Sequence, residues 1–288
     1  MNDPTPLTPN ATLRLRHVPP AHGLLWVRQG LRTFRQQPMA FAALFAAFMF
    51  AVFVLALLPV VGSMLALALL PLVTFGFMNA TRITLAGGFP TARVFSDALR
   101  GNRARTLGLL QLGLAYSVTT FLVMWLSDWF DGGAFETLMQ AAPAGDKPAP
   151  GGLANRLSAP GLASGMVFRF GLAGLLAVPF WHAPALVVWG AQGAAQSLFS
   201  STLACWRNRG AFAVYMLAWV AIILVFATLG SLVFSLVGAP RLFAVAVVPM
   251  SLLFTTLFYV SLYFTFFDCF EATAASPALT APEPESPP

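Results

Sequence analysis

Charge is scarce in this chain of 288 residues: 9% are Asp, Glu, Lys or Arg, where a soluble domain carries roughly 25% to keep its surface wetted. That scarcity excludes a soluble enzyme domain, a disordered chain and a fibrous one. Lysine is almost missing, with Lys147 standing beside 15 arginines. Histidine occurs only at 17, 22 and 182, and cysteine only at 205 and 269, without CxxC spacing. Both cysteines fall near the ends of apolar segments and read as free thiols on a reducing side, with no disulfide and no metal site. No HExxH, GxSxG, P-loop or GxGxxG motif occurs, and no Asp or Glu lies mid-span. Catalysis needs titratable groups that converge. The expectation is therefore a non-enzymatic protein with no catalytic residue and no cofactor.

What the chain has is apolar length. Hydrophobic residues make up 58% of it, with a mean hydropathy of +0.77. Six segments, near 39–59, 62–82, 107–127, 165–190, 211–237 and 242–267, reach the roughly 20 apolar residues that a hydrocarbon core demands. Each must be a helix, because lipid offers unpaired backbone groups no partner. Short turns at Pro59-Val-Val-Gly62 and Gly238-Ala-Pro-Arg241 make the first and last pairs antiparallel hairpins. The fold class is thus all-α: a polytopic integral membrane protein with six transmembrane helices plus short interfacial amphipathic helices. Residues 23–271 form the transmembrane domain. The polar, Pro-rich tails 1–22 and 272–288 are expected to be disordered and cytoplasmic. The first has no apolar core for a cleaved signal.

Arginine placement sets the expected orientation. With the N-terminus inside, twelve basic residues face the cytoplasm and four (Lys147, Arg156, Arg169, Arg241) face out, so both termini are placed in the cytoplasm of a bacterial cell. The Ala-, Arg- and Pro-rich composition suggests a GC-rich genome. The connection 128–164 becomes an external loop, flexible at its centre (PAGDKPAPGG). A pI near 10 would suggest nucleic acid in a soluble domain, but basic residues flanking apolar runs meet lipid phosphates instead. The expected partners are therefore anionic membrane lipids and no nucleic acid. Protein partners and oligomeric state are not written in the sequence.

Three cytoplasmic stubs carry these arginines. In 23–37, Leu24, Val27, Leu31 and Phe34 recur at helical spacing beside Arg28, Arg32 and Arg35, which predicts an amphipathic helix on the inner leaflet, ended by Pro38. In 94–105, Val94, Phe95, Ala98 and Leu99 share a face beside Arg93, Arg100 and Arg103. Around 197–209, Leu198, Phe199, Leu203 and Trp206 precede Arg207 and Arg209. These eight arginines are the candidate lipid-headgroup contacts. Phe95-Ser96-x-x-Leu99 matches Phe199-Ser200-x-x-Leu203, and each is followed by Asn-Arg, which suggests a basic-helix-plus-hairpin unit used three times. Any basic link between spans produces a similar pattern.

One ionisable residue, His182, falls well inside a predicted span, between Pro179 and Pro184. Such a group is a candidate intramembrane polar site. Two prolines free the carbonyls of Leu175 and Phe180, so His182 either lines a cavity or braces a kink. The first alternative belongs to a small-solute transporter or channel, the second to an accessory or scaffold protein with a lipid-binding basic face. Arg169, about 20 Å up the same helix at 1.5 Å per residue, is expected to snorkel to the outer headgroups. Ala43, Ala47, Ala51, Gly108, Gly113, Gly171 and Gly174 mark sites of close helix approach.

The run Leu24-Leu-Trp-Val-Arg-Gln-Gly-Leu-Arg-Thr-Phe-Arg-Gln-Gln-Pro38 resembles the start of an uncharacterised family of proteobacterial six-span inner-membrane proteins. So do Gly76-Phe-Met-Asn-Ala-Thr-Arg82 with Gly88-Phe-Pro90, and Trp181-His-Ala-Pro-Ala-Leu-Val187 with Arg207-Asn208 and Tyr215. The resemblance covers most of 24–267 and departs at His182, where an aromatic residue is expected. It implies the six-span topology and carries no reaction or ligand.

Overall fold

The computed structural model describes residues 12–59, 61–100, 102–132 and 162–273. Two short strands join the two ends of this described chain. β1 (Thr12–Leu15) pairs antiparallel with β2 (Phe270–Thr273), Leu15 opposite Phe270 and Thr12 opposite Thr273. The Arg16 N–H extends the ladder by donating to the Cys269 carbonyl at 2.8 Å. A lone two-stranded ribbon is marginal in water, and this one lies with Leu13 and Leu15 packed on the core. Disorder was expected through residue 22, so order from Thr12 onward is a correction. Its cause is a partner strand at the other end of the chain. The remainder of the expected tails, 1–11 and 274–288, lies outside the described residues, as does 133–161 of the expected external loop.

The helices between the strands are α1 (His22–Gln36), α2 (Pro38–Ala56), α3 (Val61–Leu85), α4 (Arg93–Asp97) and α5 (Arg103–Asp131). They continue with α6 (Leu162–Phe180), α7 (Ala183–Val188), α8 (Ala194–Arg207), α9 (Arg209–Leu236) and α10 (Pro240–Cys269). Among the described residues six stretches have the length and apolar composition to cross a membrane: Pro38–Ala56, Val61–Leu85, Arg103–Phe130, Gly165–Val188, Arg209–Leu236 and Val245–Cys269. Crossing six times returns the chain to the side where it began. That side, holding β1, β2, α1, α4, α7 and α8, is here termed the terminal face.

Proline acts differently at each span. Pro38 and Pro240 open α2 and α10, where a missing N–H costs nothing. Pro71 and Pro249 lie inside α3 and α10, which run through them unbroken. Among the described spans only the one carrying the Pro179–Pro184 pair is interrupted, at Trp181 and His182, between α6 and α7. Gly238, at φ +74°, turns the chain from α9 into α10, a conformation that glycine adopts without Cβ strain.

The interior is packed mainly toward the terminal face. There Ala183, Ala185, Leu186 and Val187 of α7 are fully enclosed, with Trp26, Tyr215 and Phe266 around them. A second cluster joins Phe41, Phe45, Phe77 and Val260. Farther from that face α9 is apolar and exposed, including Leu224, Leu229 and Leu236. In water such a helix would be a liability. In lipid it is the ordinary outer surface of a span.

Candidate functional site

All eight arginines expected at lipid headgroups are exposed, on α1, on and beyond α4, and around the α8–α9 junction. The packing beneath them differs from the expectation. On α1 the buried residues are Gly23, Trp26, Gly30 and Thr33, a face rotated from the predicted Leu24–Val27–Leu31–Phe34 stripe. Leu24 and Leu31 are exposed, whereas Val27 and Phe34 only graze the core. α1 therefore docks on α9 and α10, with Arg28, Arg32 and Arg35 pointing away from the bundle.

Two glycines and a carboxylate make that docking. A Cβ on Gly23 would lie 2.4 Å from the Ala211 carbonyl oxygen, and one on Gly30 would lie 2.6 Å from Ser261 Cβ. Between them the Trp26 indole N–H donates to Asp268 Oδ2 at 2.8 Å, and the same oxygen meets His22 Nδ1 at 2.7 Å. Asp268 escaped the sequence reading because it lies one residue past the predicted end of its span. Its signal was a carboxylate closing an apolar run, which needs a donor from elsewhere in the fold.

The second stub also differs. α4 is only five residues long, and Arg100 and Arg103 lie outside it. Asn102 stops a continuous 94–105 helix: its extended backbone breaks the run, and its Oδ1 accepts from the Ala104 N–H at 2.8 Å, capping α5. Asn208 stands in the equivalent place before α9 but works outward. Its Oδ1 accepts from Val18 N–H at 2.8 Å, and its Nδ2 donates to the Arg16 carbonyl at 3.1 Å, clipping the N-terminal arm down. On α8, Leu198 turns inward, while Phe199, Leu203 and Trp206 are exposed beside Arg207 and Arg209. The Arg209 guanidinium carbon lies 5.7 Å from the centre of the Trp206 ring.

His182 has no exposed surface. It sits level with Phe212 near the start of α9 and Phe270 just after α10, so it lies at the terminal-face end of the bundle rather than mid-span. Phe266 completes the ring around it. Thr265 Oγ1 donates to the Leu262 carbonyl at 2.8 Å, accepts from the Trp181 indole N–H at 3.3 Å and meets His182 Nε2 at 3.1 Å. Ser201, a residue the sequence reading passed over, bridges the helix break. Its hydroxyl accepts from the His182 backbone N–H at 3.0 Å and donates to the Val178 carbonyl at 3.0 Å. One hydroxyl thus stands in for the missing turn of helix, and the carbonyl it engages belongs to Val178 rather than to Leu175 or Phe180. A neighbouring cavity of about 390 Å³, lined by Pro71, Tyr116, Phe180, Trp181 and Tyr259 among others, does not include His182.

Arg169 does not reach for headgroups. It is buried, and Nη2 donates to the more exposed Asp128 Oδ1 near the end of α5, so a carboxylate of the protein takes the place of a headgroup phosphate. Gly113 packs against the Ala68 carbonyl and Gly108 against Val187, whereas Gly171 and Gly174 face open space. Cys205 and Cys269 are free and buried, and burial pushes the Cys205 thiol up to about 12, far from a reactive thiolate. Among the described residues no group of His, Cys, Asp and Glu has the makings of a metal site.

No family model matches the chain, and no solved structure matches it. A "probable inner membrane protein" of Burkholderia thailandensis is 33% identical over 259 residues, which cover 90% of this chain and 94% of that protein.

Proposed function

The chain belongs to the family of that Burkholderia thailandensis protein, and we propose that it works as a non-enzymatic accessory or scaffold protein of the inner membrane whose terminal face lies in the cytoplasm and holds anionic lipid. One observation carries this reading. On α8, exposed Phe199, Leu203 and Trp206 stand directly beside exposed Arg207 and Arg209. Apolar and aromatic side chains entering the acyl boundary, with arginines at the phosphates, are how an interfacial helix lies on a leaflet. Arg28, Arg32 and Arg35 add a second basic strip on α1, and among the described residues none of these five arginines is in an ion pair. Their charge is free for headgroups. A solute pathway through His182 finds no support in a ring enclosed by Phe212, Phe266 and Phe270.

The test is lipid selectivity of the intact protein. In liposomes of phosphatidylcholine and phosphatidylglycerol, spin-labelled phosphatidylglycerol should associate with the wild-type chain in preference to the labelled choline lipid. A basic residue near an anionic surface is worth about 1 kcal/mol, so R28E/R32E/R35E combined with R207E/R209E should bring that preference close to unity. Unchanged selectivity would remove lipid binding from the proposal.

A further inference from the structure

Beside the docked helices, between α3, α4, α5 and the turn after α7, the terminal face holds a cavity of about 300 Å³. That is the lower end of the size at which small ligands are bound. Its lining is unlike the rest of this apolar molecule. Arg82 from α3 and Arg105 from α5 bring two guanidinium groups, Asp97 from α4 a carboxylate, and Asn79 a side-chain amide, over apolar walls of Phe75 and Trp189.

Several of these groups are poised without partners. Asn79 is 8% exposed, and its Oδ1 is buried with no hydrogen-bond partner among the described residues. Arg105 Nε is likewise buried and unpartnered among them. Buried polar atoms are nearly always satisfied, and leaving one unsatisfied costs about 1–3 kcal/mol. Two such atoms at one cavity point to something that occupies it. Neither arginine is ion-paired with a carboxylate among the described residues. Arg82 is instead held with its guanidinium carbon 5.4 Å from the centre of the Trp189 ring, which itself packs edge-on to Phe75 at 5.1 Å. Stacking of that kind fixes the planar fork while leaving its N–H groups to a ligand.

We infer that this cavity binds a phosphate ester that also carries a hydrogen-bond donor, such as an amine or hydroxyl. Two guanidiniums from different helices suit an anion with several oxygens, because each fork can take its own pair of acceptors. The Asn79 oxygen and Asp97 carboxylate are acceptors, so they suit the donor end. Both ends together describe phosphoethanolamine or phosphoglycerol, alone in water or as the headgroup of a phospholipid. Arg82 lies in the last turn of α3, where the apolar span gives way to polar chain, the level at which headgroups sit.

Calorimetric titration of the full-length protein in maltoside detergent tests this with three probes: dihexanoyl phosphatidylethanolamine, phosphoethanolamine and inorganic phosphate. The expected result is saturable one-to-one binding of an amine-bearing phosphate, weakened at least tenfold by R82Q and by R105Q. N79L and D97N should remove the preference for that probe over inorganic phosphate. Binding of the lipid alone identifies a headgroup, and equal binding of phosphoethanolamine identifies a soluble ester; each supports the site. Arg82 is exposed, so R82Q keeps the test sound if a buried variant fails to fold. No saturable binding of any probe, or undiminished binding in R82Q/R105Q, overturns the inference. The R28E/R32E/R35E variant should bind the probe like the wild type, which separates this cavity from the exposed arginine strip of α1.

Discussion

At the scale of single residues, the polar groups of this protein mostly hold backbone in place. Ser201 shows it best, since its one hydroxyl satisfies both the N–H of His182 and the carbonyl of Val178 across the α6–α7 break. Ser201→Ala leaves the His182 N–H buried and unpaired, and leaves the Val178 carbonyl with only the longer bonds from the Trp181 N–H at 3.4 Å and Cys205 Sγ at 3.9 Å, so it should cost about 1–3 kcal/mol, read as a lower unfolding midpoint in bicelles. His182→Gln keeps a donor for Thr265 and should be nearly neutral, whereas His182→Leu should cost on the order of 1 kcal/mol, as an interhelical hydrogen bond does. If His182 lined a water-filled route, a cysteine there would react quickly. In a chain lacking Cys205 and Cys269, His182→Cys should resist a membrane-impermeant maleimide added from either side. Rapid labelling would sink the bracing role. The histidine was visible in the sequence as an ionisable residue well inside its predicted span. Ser201 was not, because nothing local distinguishes a serine facing a helix break from one facing solvent.

At the scale of elements, α1 decides how the terminal face is built. Its sequence announces an amphipathic helix, and in the fold Arg28, Arg32 and Arg35 are exposed. Which apolar face docks was misread, because Gly23 and Gly30 carry no hydrophobic signal yet lie where a Cβ would run into Ala211 and Ser261. Ala211 offers backbone at the Gly23 site, which cannot swing aside as a flexible side chain does. Gly23→Ala should therefore lift α1 from α9. Hydrogen exchange across 22–36 should quicken by at least tenfold, with the membrane spans unchanged. Trp26→Phe, which removes the donor to Asp268 and keeps most of the apolar contact, should give a smaller change in the same segment. Unaltered exchange in Gly23→Ala would show that α1 is not held by backbone packing.

At the scale of the whole molecule, the arginine distribution and the β1–β2 pairing bear on the same question from different sides. The ribbon places residues 12–15 and 270–273 side by side, so the polypeptide enters and leaves the bundle on one face. The proposed orientation, which rests on charge bias, puts that face in the cytoplasm. Reporter fusions after Gly145 and Ala275 should report periplasm and cytoplasm respectively. A cytoplasmic signal at both positions would contradict the six-span orientation.

Membership of the bilayer class and the number of spans followed from the sequence alone. Each depends on a property summed over many residues: the scarcity of charge across the chain, or apolar length against the thickness of lipid. Such sums survive errors at any one position. The tertiary structure alone decided the ribbon between Thr12–Leu15 and Phe270–Thr273, the pairing of Asp268 with Trp26, the burial of Arg169 against Asp128 and the gathering of Asn79, Arg82, Asp97 and Arg105 around one cavity. Those depend on which distant residue stands opposite. Apolar patterning does not specify that, because in lipid every outward face of a helix is equally content to be apolar, and only close packing and buried polar partners choose among them.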